Sequence, residues 1–454
     1  RGSFLCKNSV FAIKRSTMYC ILLVLIIISI CMLPIVIFIL PSMPPTPPLR
    51  ANRLPCRDDT KGYTLGEMDI CTHTCGTLCF PRVRGICFSH EKVTICDGRP
   101  LVTREVLSQL PSEMVFKTNK KARQKISIQH GNSNICDAAG AHWIPGLNMV
   151  ADLTLMPTGN FGPNPHHEAE KIIPAILFSQ LKEFKNSTLY WFADPTDPKM
   201  ISKWSLGLLE VFSDDLNVKY LSPVGRNEGS ICFEDVILFS GVTNSGYIPN
   251  VVTHDWFRNR VLEYCNIPSV NASRPIRAAT IVHRNNSSRN IGNHELVKNT
   301  MEEKLKVQIK IAVPGPWEFC DQVKLVAEAD IVLTPHGSQN ANLVVLRPGA
   351  IVIEVFPLLY YIDWYSHYLH AGRIRHYEVF GTWISEQGGS MPLVMRLYAY
   401  LYGWQKCFFV KKCMNYGKNQ QIYVDVAYLD RLLQSLIDKC DVVVEHSDCL
   451  LRSK

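Results

Sequence analysis

The stretch from Ala329 to Pro357 constrains the fold of this chain more than any other feature. An apolar run, Ala329-Asp330-Ile331-Val332-Leu333, ends in Thr334-Pro335-His336-Gly337 and the small polar residues Ser338-Gln339-Asn340-Ala341-Asn342. After Arg347-Pro348-Gly349 a second run follows, Ala350-Ile351-Val352-Ile353-Glu354-Val355-Phe356-Pro357. This reads as strand, polar turn, short helix, turn and strand, one βαβ unit. In open α/β sheets such turns lie at the carboxyl ends of strands, where ligands bind. A helix starting there aims free N–H groups at an anion, so the turn points to phosphate.

Similar alternation extends over most of the chain. In a first half, the spacing predicts strands at 148–155 and 189–194, helices at 166–184 and 201–212, and a strand at 236–239. Pro174 is expected to kink the 166–184 helix or to start its second part. A second half restarts near residue 276, with strands at 276–284, 307–313, 330–333 and 350–355. Its helices fall at 294–305 and 317–328, and a strand-helix pair closes it at 421–437. Two successive α/β halves imply two Rossmann-like domains facing a cleft, 101–275 and 276–454.

The N-terminal hundred residues differ. Residues 19–40 carry no charged side chain and are long enough to cross a bilayer. Lys7, Lys14 and Arg15 precede them, which favours a cytosolic 1–18 tail. A cleaved signal peptide is the rival reading, but the run exceeds a usual signal-peptide core and no small-x-small site follows, so 19–40 is read as a transmembrane signal anchor. The Pro-rich and Cys-rich segment 41–100 reads as a luminal stem. Of 17 cysteines, Cys6, Cys20 and Cys31 lie before or within the anchor. The other fourteen face an oxidising compartment, where disulfides form. Cys71, Cys75 and Cys79 with His73 have zinc-compatible spacing, but a disulfide-stapled stem is the preferred reading. Sequons at Asn186, Asn271 and the adjacent Asn285 and Asn286 fit a luminal catalytic part. A net charge of +8 suits an anionic small ligand or a membrane surface and gives no argument for nucleic acid.

Candidate chemistry falls in four places. Arg284 and Arg289 follow the first strand of the second half, five residues apart: either a diphosphate grip or a solvated basic loop. His336, beside Gly337, is either a ligand contact or a structural histidine. Asn164-Pro165-His166-His167-Glu168-Ala169-Glu170 opens the first-half helix. There His166 and Glu170 share a face, as base and orienter, as an acid-rich first turn, or as part of a metal site for which no third ligand is evident. Glu354 within its apolar strand needs a partner, ribose hydroxyls or an arginine. Asp194, at the end of a strand, is a lesser candidate.

Taken together, the Asn164–Lys171 helix start, the Arg284–Asn293 block and the 329–357 block resemble glycosyltransferase family 61, over roughly residues 145 to 385. That family commonly has Gly-x-His-Gly-Ala-Gly-Leu-Thr-Asn where this chain has Thr334 to Asn342. Its first helix usually carries an Asp four residues after its His; here that position is Glu170 counted from His166, or Lys171 counted from His167.

The resemblance implies a GT-B fold and inverting transfer of xylose, N-acetylglucosamine or arabinose from a UDP-sugar to a glycan or glycoprotein hydroxyl. It implies a base region at His166, His167 and Glu170. Donor binding would fall to Arg284, Arg289, His336, Gly337, Ser338, Gln339, Asn340 and Glu354. No Asp-x-Asp motif offers a divalent metal such as Mn an anchor, so basic side chains and N–H groups would neutralise the diphosphate. With the anchor, this gives a single-pass type II protein of the Golgi or ER membrane, with its catalytic part luminal. A second reading is a catalytically inactive GT-B membrane protein that binds nucleotide or glycan, and UDP release assays separate the two. No Gly-x-Ser-x-Gly motif supports a hydrolase.

Overall fold

The computed structural model describes residues 63–65, 69–73, 77–88, 93–96, 113–117, 123–131, 136, 141–151, 163–192, 196, 201–221, 230–239, 248–269, 276–285, 288–315, 318–382, 395 and 410–438. The proposed anchor at 19–40, Asp194 and Asn271 lie outside them. Among the described residues no helix is long and apolar enough to cross a membrane.

The structure is mixed α/β, with one mixed and one parallel sheet. The mixed sheet comprises β1 (Tyr63–Leu65), β2 (Asp69–His73), β3 (Thr77–Phe88), β4 (Val93–Cys96), β5 (Glu113–Lys117), β6 (Arg123–Gly131), β7 (His142–Ala151), β8 (Thr188–Trp191), β9 (Asn217–Tyr220) and β10 (Ile231–Phe239). Its order is β5-β6-β4-β3-β10-β7-β8-β9, with β2 also pairing β3 and β1 pairing β2. The run β10-β7-β8-β9 is parallel throughout.

The segment read as a stem therefore supplies strands to this sheet. β3 pairs antiparallel along β10 from Phe88–Ile231 to Arg82–Ile237. A disulfide joins Cys87 to Cys232 and another joins Cys96 to Cys136. Val83, Ile86, Phe88, Val93 and Ile95 pack with Val150, Tyr190 and Phe233 on one face of the sheet. These residues resist reading as strands because Cys, Arg, Gly and Pro interrupt the apolar alternation in 77–88.

The parallel sheet contains β11 (Ala279–Val282), β12 (Ile309–Ala312), β13 (Ile331–Pro335), β14 (Ile351–Phe356) and β15 (Arg375–Phe380), in the order β12-β11-β13-β14-β15. This doubly wound order reverses direction between β11 and β13, and ligands bind at the carboxyl ends of strands at such a reversal. Arg284 follows β11 there, and His336 follows β13.

Helices fill the space between the sheets and cover the outer face of the parallel one. They are α1 (Pro165–Ser179), α2 (Lys203–Val211), α3 (Val251–Tyr264), α4 (His294–Leu305), α5 (Phe319–Ala327), α6 (Ser366–Ala371), α7 (Lys411–Lys418) and α8 (Val426–Asp438). Short 3₁₀ helices span Lys182–Phe184 and Ser338–Val345. One apolar core runs from Phe80, Met149, Trp191 and Phe239 of the mixed sheet to Val332 and Val352 of the parallel one. Ile172, Ile176, Trp204, Phe257 and Phe319 of the helices pack between them. Ile331, Leu333, Ile351, Ile353 and Val355 face the other way, onto Val297 and Met301 of α4 and Leu429 and Leu433 of α8. Strand alternation thus turns Glu354 to the same face as Val352, toward the central layer.

α1 runs unbroken through Pro174. β9, α3, β15 and α7 were not foreseen. The Cys265–Cys320 disulfide joins the end of α3 to the first turn of α5, across the central layer. Closing a 55-residue separation is worth about 4 kcal/mol in the chain-entropy account. Cys265→Ser is expected to lower unfolding free energy by about that amount, read from urea denaturation without reductant.

Candidate functional site

Asn164 caps α1, its side chain accepting from His166 N and His167 N at 3.1 and 3.4 Å. Glu168 is buried one turn in, accepting from Asn164 N at 3.1 Å and from the hydroxyls of Ser202 and Ser205 at the start of α2. Burial raises its pKa although those donors oppose the shift. This internal tie holds the first turn of α1 against α2. It leaves His166, His167 and Glu170, each about 1% exposed, facing the parallel sheet.

His167 Nδ1 lies 3.1 Å from Glu170 Oε2, and His166 Nε2 lies 3.7 Å from Glu170 Oε1. His167 Nε2 and His166 Nδ1 have no hydrogen-bond partner. The three side chains are close enough to share a cation, though both imidazoles sit at a helix N-terminus with Lys171 nearby, which disfavours one. Burial, then Lys171 and Lys418, lowers the His167 pKa to about 4. Burial, then His167 and His336, lowers that of His166 well below the ordinary histidine value.

These histidines are buried neutral, so unfolding must take up protons below the ordinary histidine value of 6.5. For a base with a lowered pKa, stability is full above 6.5 and falls as pH drops toward 4. His167 alone should contribute a loss of roughly 3 kcal/mol over that interval. His167→Gln is expected to flatten the dependence of the urea midpoint on pH between 6.5 and 4.

Across from α1, the turn after β13 and the loop 357–365 make an aromatic surround. Trp364 stacks on His166 at 5.1 Å and meets the rings of His167 and His336 at 5.2 and 5.6 Å. Tyr365 lies 4.7 Å from His166 and 5.3 Å from His336. The structure therefore brings the first-half histidines and the Thr-Pro-His-Gly turn to one place.

The short helix expected after His336 is a 3₁₀ helix, Ser338–Val345. Tyr365 Oη donates to Gly337 O at 2.7 Å and Tyr368 Oη to Asn340 O at 2.6 Å. These bonds draw the carbonyls from the α-helical i+4 pattern. A 3₁₀ turn aligns its N–H groups less well, which shifts the neutralising of an anion toward side chains.

Three cations converge on this turn. Arg289, at φ 64°, donates from Nη1 to His336 O at 2.9 Å, with its guanidinium 5.6 Å from the Tyr360 ring. Arg284 Nη1 lies so close to Gly337 that a β-carbon there would stand 3.0 Å away. Burial and then Arg289 lower the Arg284 pKa to about 10, and burial and Arg289 lower that of Lys418. Arg284 Nη1 and Arg289 Nε are buried without hydrogen-bond partners. Among the described residues no carboxylate lies within ion-pair distance of Arg284, Arg289 or Lys418.

The Gly337 backbone is extended, at φ 169°, so alanine meets only the ends of the Arg284 and Gln339 side chains. Gly337→Ala is expected to displace Arg284 and to weaken anion binding about tenfold, with the melting temperature little changed.

Glu354 was expected to meet ribose or an arginine; its partners are two histidines. His336 Nδ1 lies 2.7 Å from Oε1 and His376 Nε2 lies 2.9 Å from Oε2. Asn340 Nδ2 adds a bond to Oε1 at 3.1 Å, oriented by Thr334 Oγ1 donating to Asn340 Oδ1 at 2.7 Å. Burial works against ionisation of Glu354, but the two imidazoles outweigh it and hold the pKa to about 2.

Of the other expected residues, Gln339 donates to Pro335 O and Ser338 is half-buried at the start of the 3₁₀ helix. Asn186 and Asn285 are exposed, as glycan acceptors must be. His376, Lys418, Tyr360, Trp364 and Tyr365 were missed. The aromatic density of Tyr360-Tyr361-Ile362-Asp363-Trp364-Tyr365 was a legible signal for that loop. Lys418, far along the chain on α7, carried none.

A family model described as Glycosyltransferase 61 matches residues 104–353. The match includes the α1 histidines, both arginines and the His336 turn. No curated protein matches the chain.

Proposed function

Because the chain belongs to glycosyltransferase family 61, we propose that it transfers a sugar from a UDP-sugar to a hydroxyl of a glycan or glycoprotein, with inversion. The observation that carries the choice of a nucleoside diphosphate donor is the convergence of Arg284, Arg289 and Lys418 with no facing carboxylate among the described residues. Cations held together against their own repulsion suit a multiply charged anion, and a diphosphate leaving group gains negative charge as the glycosidic bond breaks. The order of the parallel sheet supports the same position, since both arginines follow β11 at the reversal.

In the proposed reaction the acceptor oxygen bonds to the anomeric carbon as the bond from that carbon to the diphosphate oxygen breaks. UDP leaves with the electron pair. The hydroxyl proton goes to an imidazole nitrogen of His166 or His167, with Glu170 as the orienting carboxylate. An imidazole at about 4 is a poor base, but Lys418 is among the charges that hold His167 there. A diphosphate that neutralises Lys418 removes the smallest of the three causes and shifts His167 upward, while burial and Lys171 still hold it down. Trp364 stacks on His166, meets His167 edge-on and is only partly buried, so it has ring surface for a sugar.

We place the reaction in the lumen of the Golgi or ER. The disulfides and the exposed Asn186 and Asn285 support that placement.

The test is UDP release by the full chain with UDP-xylose, UDP-arabinose and UDP-N-acetylglucosamine against a panel of glycan acceptors. Acceptor-stimulated release with one donor is the expected result. UDP binding without turnover on any pair would instead favour an inactive glycan- or nucleotide-binding protein, and absence of UDP binding would overturn the donor assignment.

A further inference from the structure

We propose that Glu354 and His376 hold His336 as a neutral imidazole with its hydrogen on Nδ1, so that Nε2 takes a hydrogen bond from a hydroxyl of the transferred sugar. The proposal rests on the UDP-sugar reading above and assigns His336 to the sugar instead of the diphosphate. Glu354 and His376 act through His336 as positioning residues.

The geometry fixes the tautomer. An ionised carboxylate only accepts, so the ring nitrogens facing Glu354, His336 Nδ1 and His376 Nε2, both carry hydrogens. The Thr334–Asn340 bond orients the Asn340 amide so that its NH₂ also points at Glu354. Oε1 therefore accepts twice and Oε2 once, a donor set that a protonated Glu354 would disrupt.

The surrounding charges decide which imidazole is positive. His336 is faced by Arg284 and Arg289 from the loop after β11, by His166 of α1, and by the rings of Tyr360, Trp364 and Tyr365. Lys418 of α7 adds a further cation beside Arg289. His376 instead has Glu378 and Asp363 near it as well as Glu354. Burial and the arginines lower the His336 pKa despite Glu354, while the carboxylates raise that of His376 despite burial. The proton resides on His376, and the buried cluster is one ion pair plus one neutral imidazole.

That leaves His336 Nε2 as a bare acceptor. It is buried, has no hydrogen-bond partner, and its residue is 0% exposed. The neighbouring hydroxyl and amide are committed, Tyr365 Oη to Gly337 O and Asn340 Nδ2 to Glu354, and neither unpartnered arginine nitrogen, Arg284 Nη1 or Arg289 Nε, hydrogen-bonds to it. A buried acceptor without a donor is costly, and a ligand hydroxyl removes that cost. Phosphate oxygens cannot, since they only accept. Aromatic rings beside such an acceptor suit a sugar, with apolar C–H faces and O–H donors.

The test uses calorimetry on the full chain with UDP and with UDP-xylose, UDP-arabinose and UDP-N-acetylglucosamine. The quantity read is the sugar increment, the ratio of the UDP dissociation constant to that of the best-bound UDP-sugar. In the unaltered protein the increment should stay constant from pH 8 to pH 6, because His336 remains neutral. His336→Phe should reduce it about fivefold, the worth of one neutral hydrogen bond.

In His376→Gln, Glu354 loses its cation and draws a proton onto His336. The increment should then match the unaltered protein at pH 8.5 and fall about fivefold below pH 7. A structural role for His376 would not produce that pH dependence. An undiminished increment in His336→Phe, no increment at all, or an increment in the unaltered protein that falls on acidification would each overturn the proposal while UDP binding persists. The pH series needs no variant, so a misfolded substitution leaves the proposal testable. Loss of UDP binding by the unaltered protein would overturn the donor reading as well.

Discussion

Arg284→Ala is expected to weaken UDP binding by about 10- to 100-fold and to leave the unliganded protein no less stable. The two outcomes have one cause. In the free protein Arg284 is half-buried beside Arg289, its Nη1 is buried without a partner, and its pKa is depressed to about 10. It is a side chain the fold would gain by losing. A diphosphate supplies the missing acceptors, and charge-assisted bonds to a buried guanidinium are worth about 1.5–3 kcal/mol.

Arg289→Ala should weaken UDP comparably but also lower stability by about 1 kcal/mol. Arg289 donates to His336 O and lies over Tyr360. Calorimetric titration of UDP together with melting curves of the unliganded variants checks both. Unchanged affinity in both variants would remove the proposed diphosphate site.

Glu354→Ala is expected to lower stability by about 3–5 kcal/mol, because it strands a protonated His376 in the protein interior. The buried pair does not have to be strongly stabilising for this to hold; an uncompensated buried charge is sufficient.

The pH dependence follows from the two partners. Glu354 is depressed to about 2, so its contribution is complete above the ordinary carboxyl value of 4.5 and fades as pH falls toward 2. His376 is raised, so its contribution is complete below 6.5 and fades as pH rises through its folded value. The difference between the unaltered protein and Glu354→Ala should therefore be greatest between about pH 4.5 and 6.5. Urea denaturation across pH 4 to 8 measures it, and a difference that grows steadily toward pH 8 would contradict the ion pair.

Much of the parallel sheet was legible beforehand because its strands are buried on both faces and read as short apolar runs between helices. The run 331–335 ends in the expected turn, and α4 occupies His294–Leu305 as its period requires. The mixed sheet was less legible. β3 carries cysteines, an arginine pair and Gly85, and its partner β10 lies 145 residues away at the Cys87–Cys232 bond. Local pattern does not encode a pairing of that range.

At the site, the His166-His167-x-x-Glu170 turn, Arg284, Arg289 and His336 could all be picked out as residue types in suggestive places. Their convergence could not, since it depends on α1 docking against the 3₁₀ helix and on the loop 357–365 placing Trp364 between two histidines.

By itself, then, the sequence determined the α/β character, the βαβ turn at Thr334–Gly337 and family membership, because burial periodicity and short motifs are local properties of the chain. Tertiary structure alone decided the partners of each charged group. Glu354 found two histidines, one of them on the neighbouring strand β15, and Lys418 reached the arginines from α7. A charge in a sequence has no dielectric and no neighbours. Only the packed chain sets how deeply it is buried and what faces it, and those two quantities decide whether it stabilises the fold or awaits a ligand.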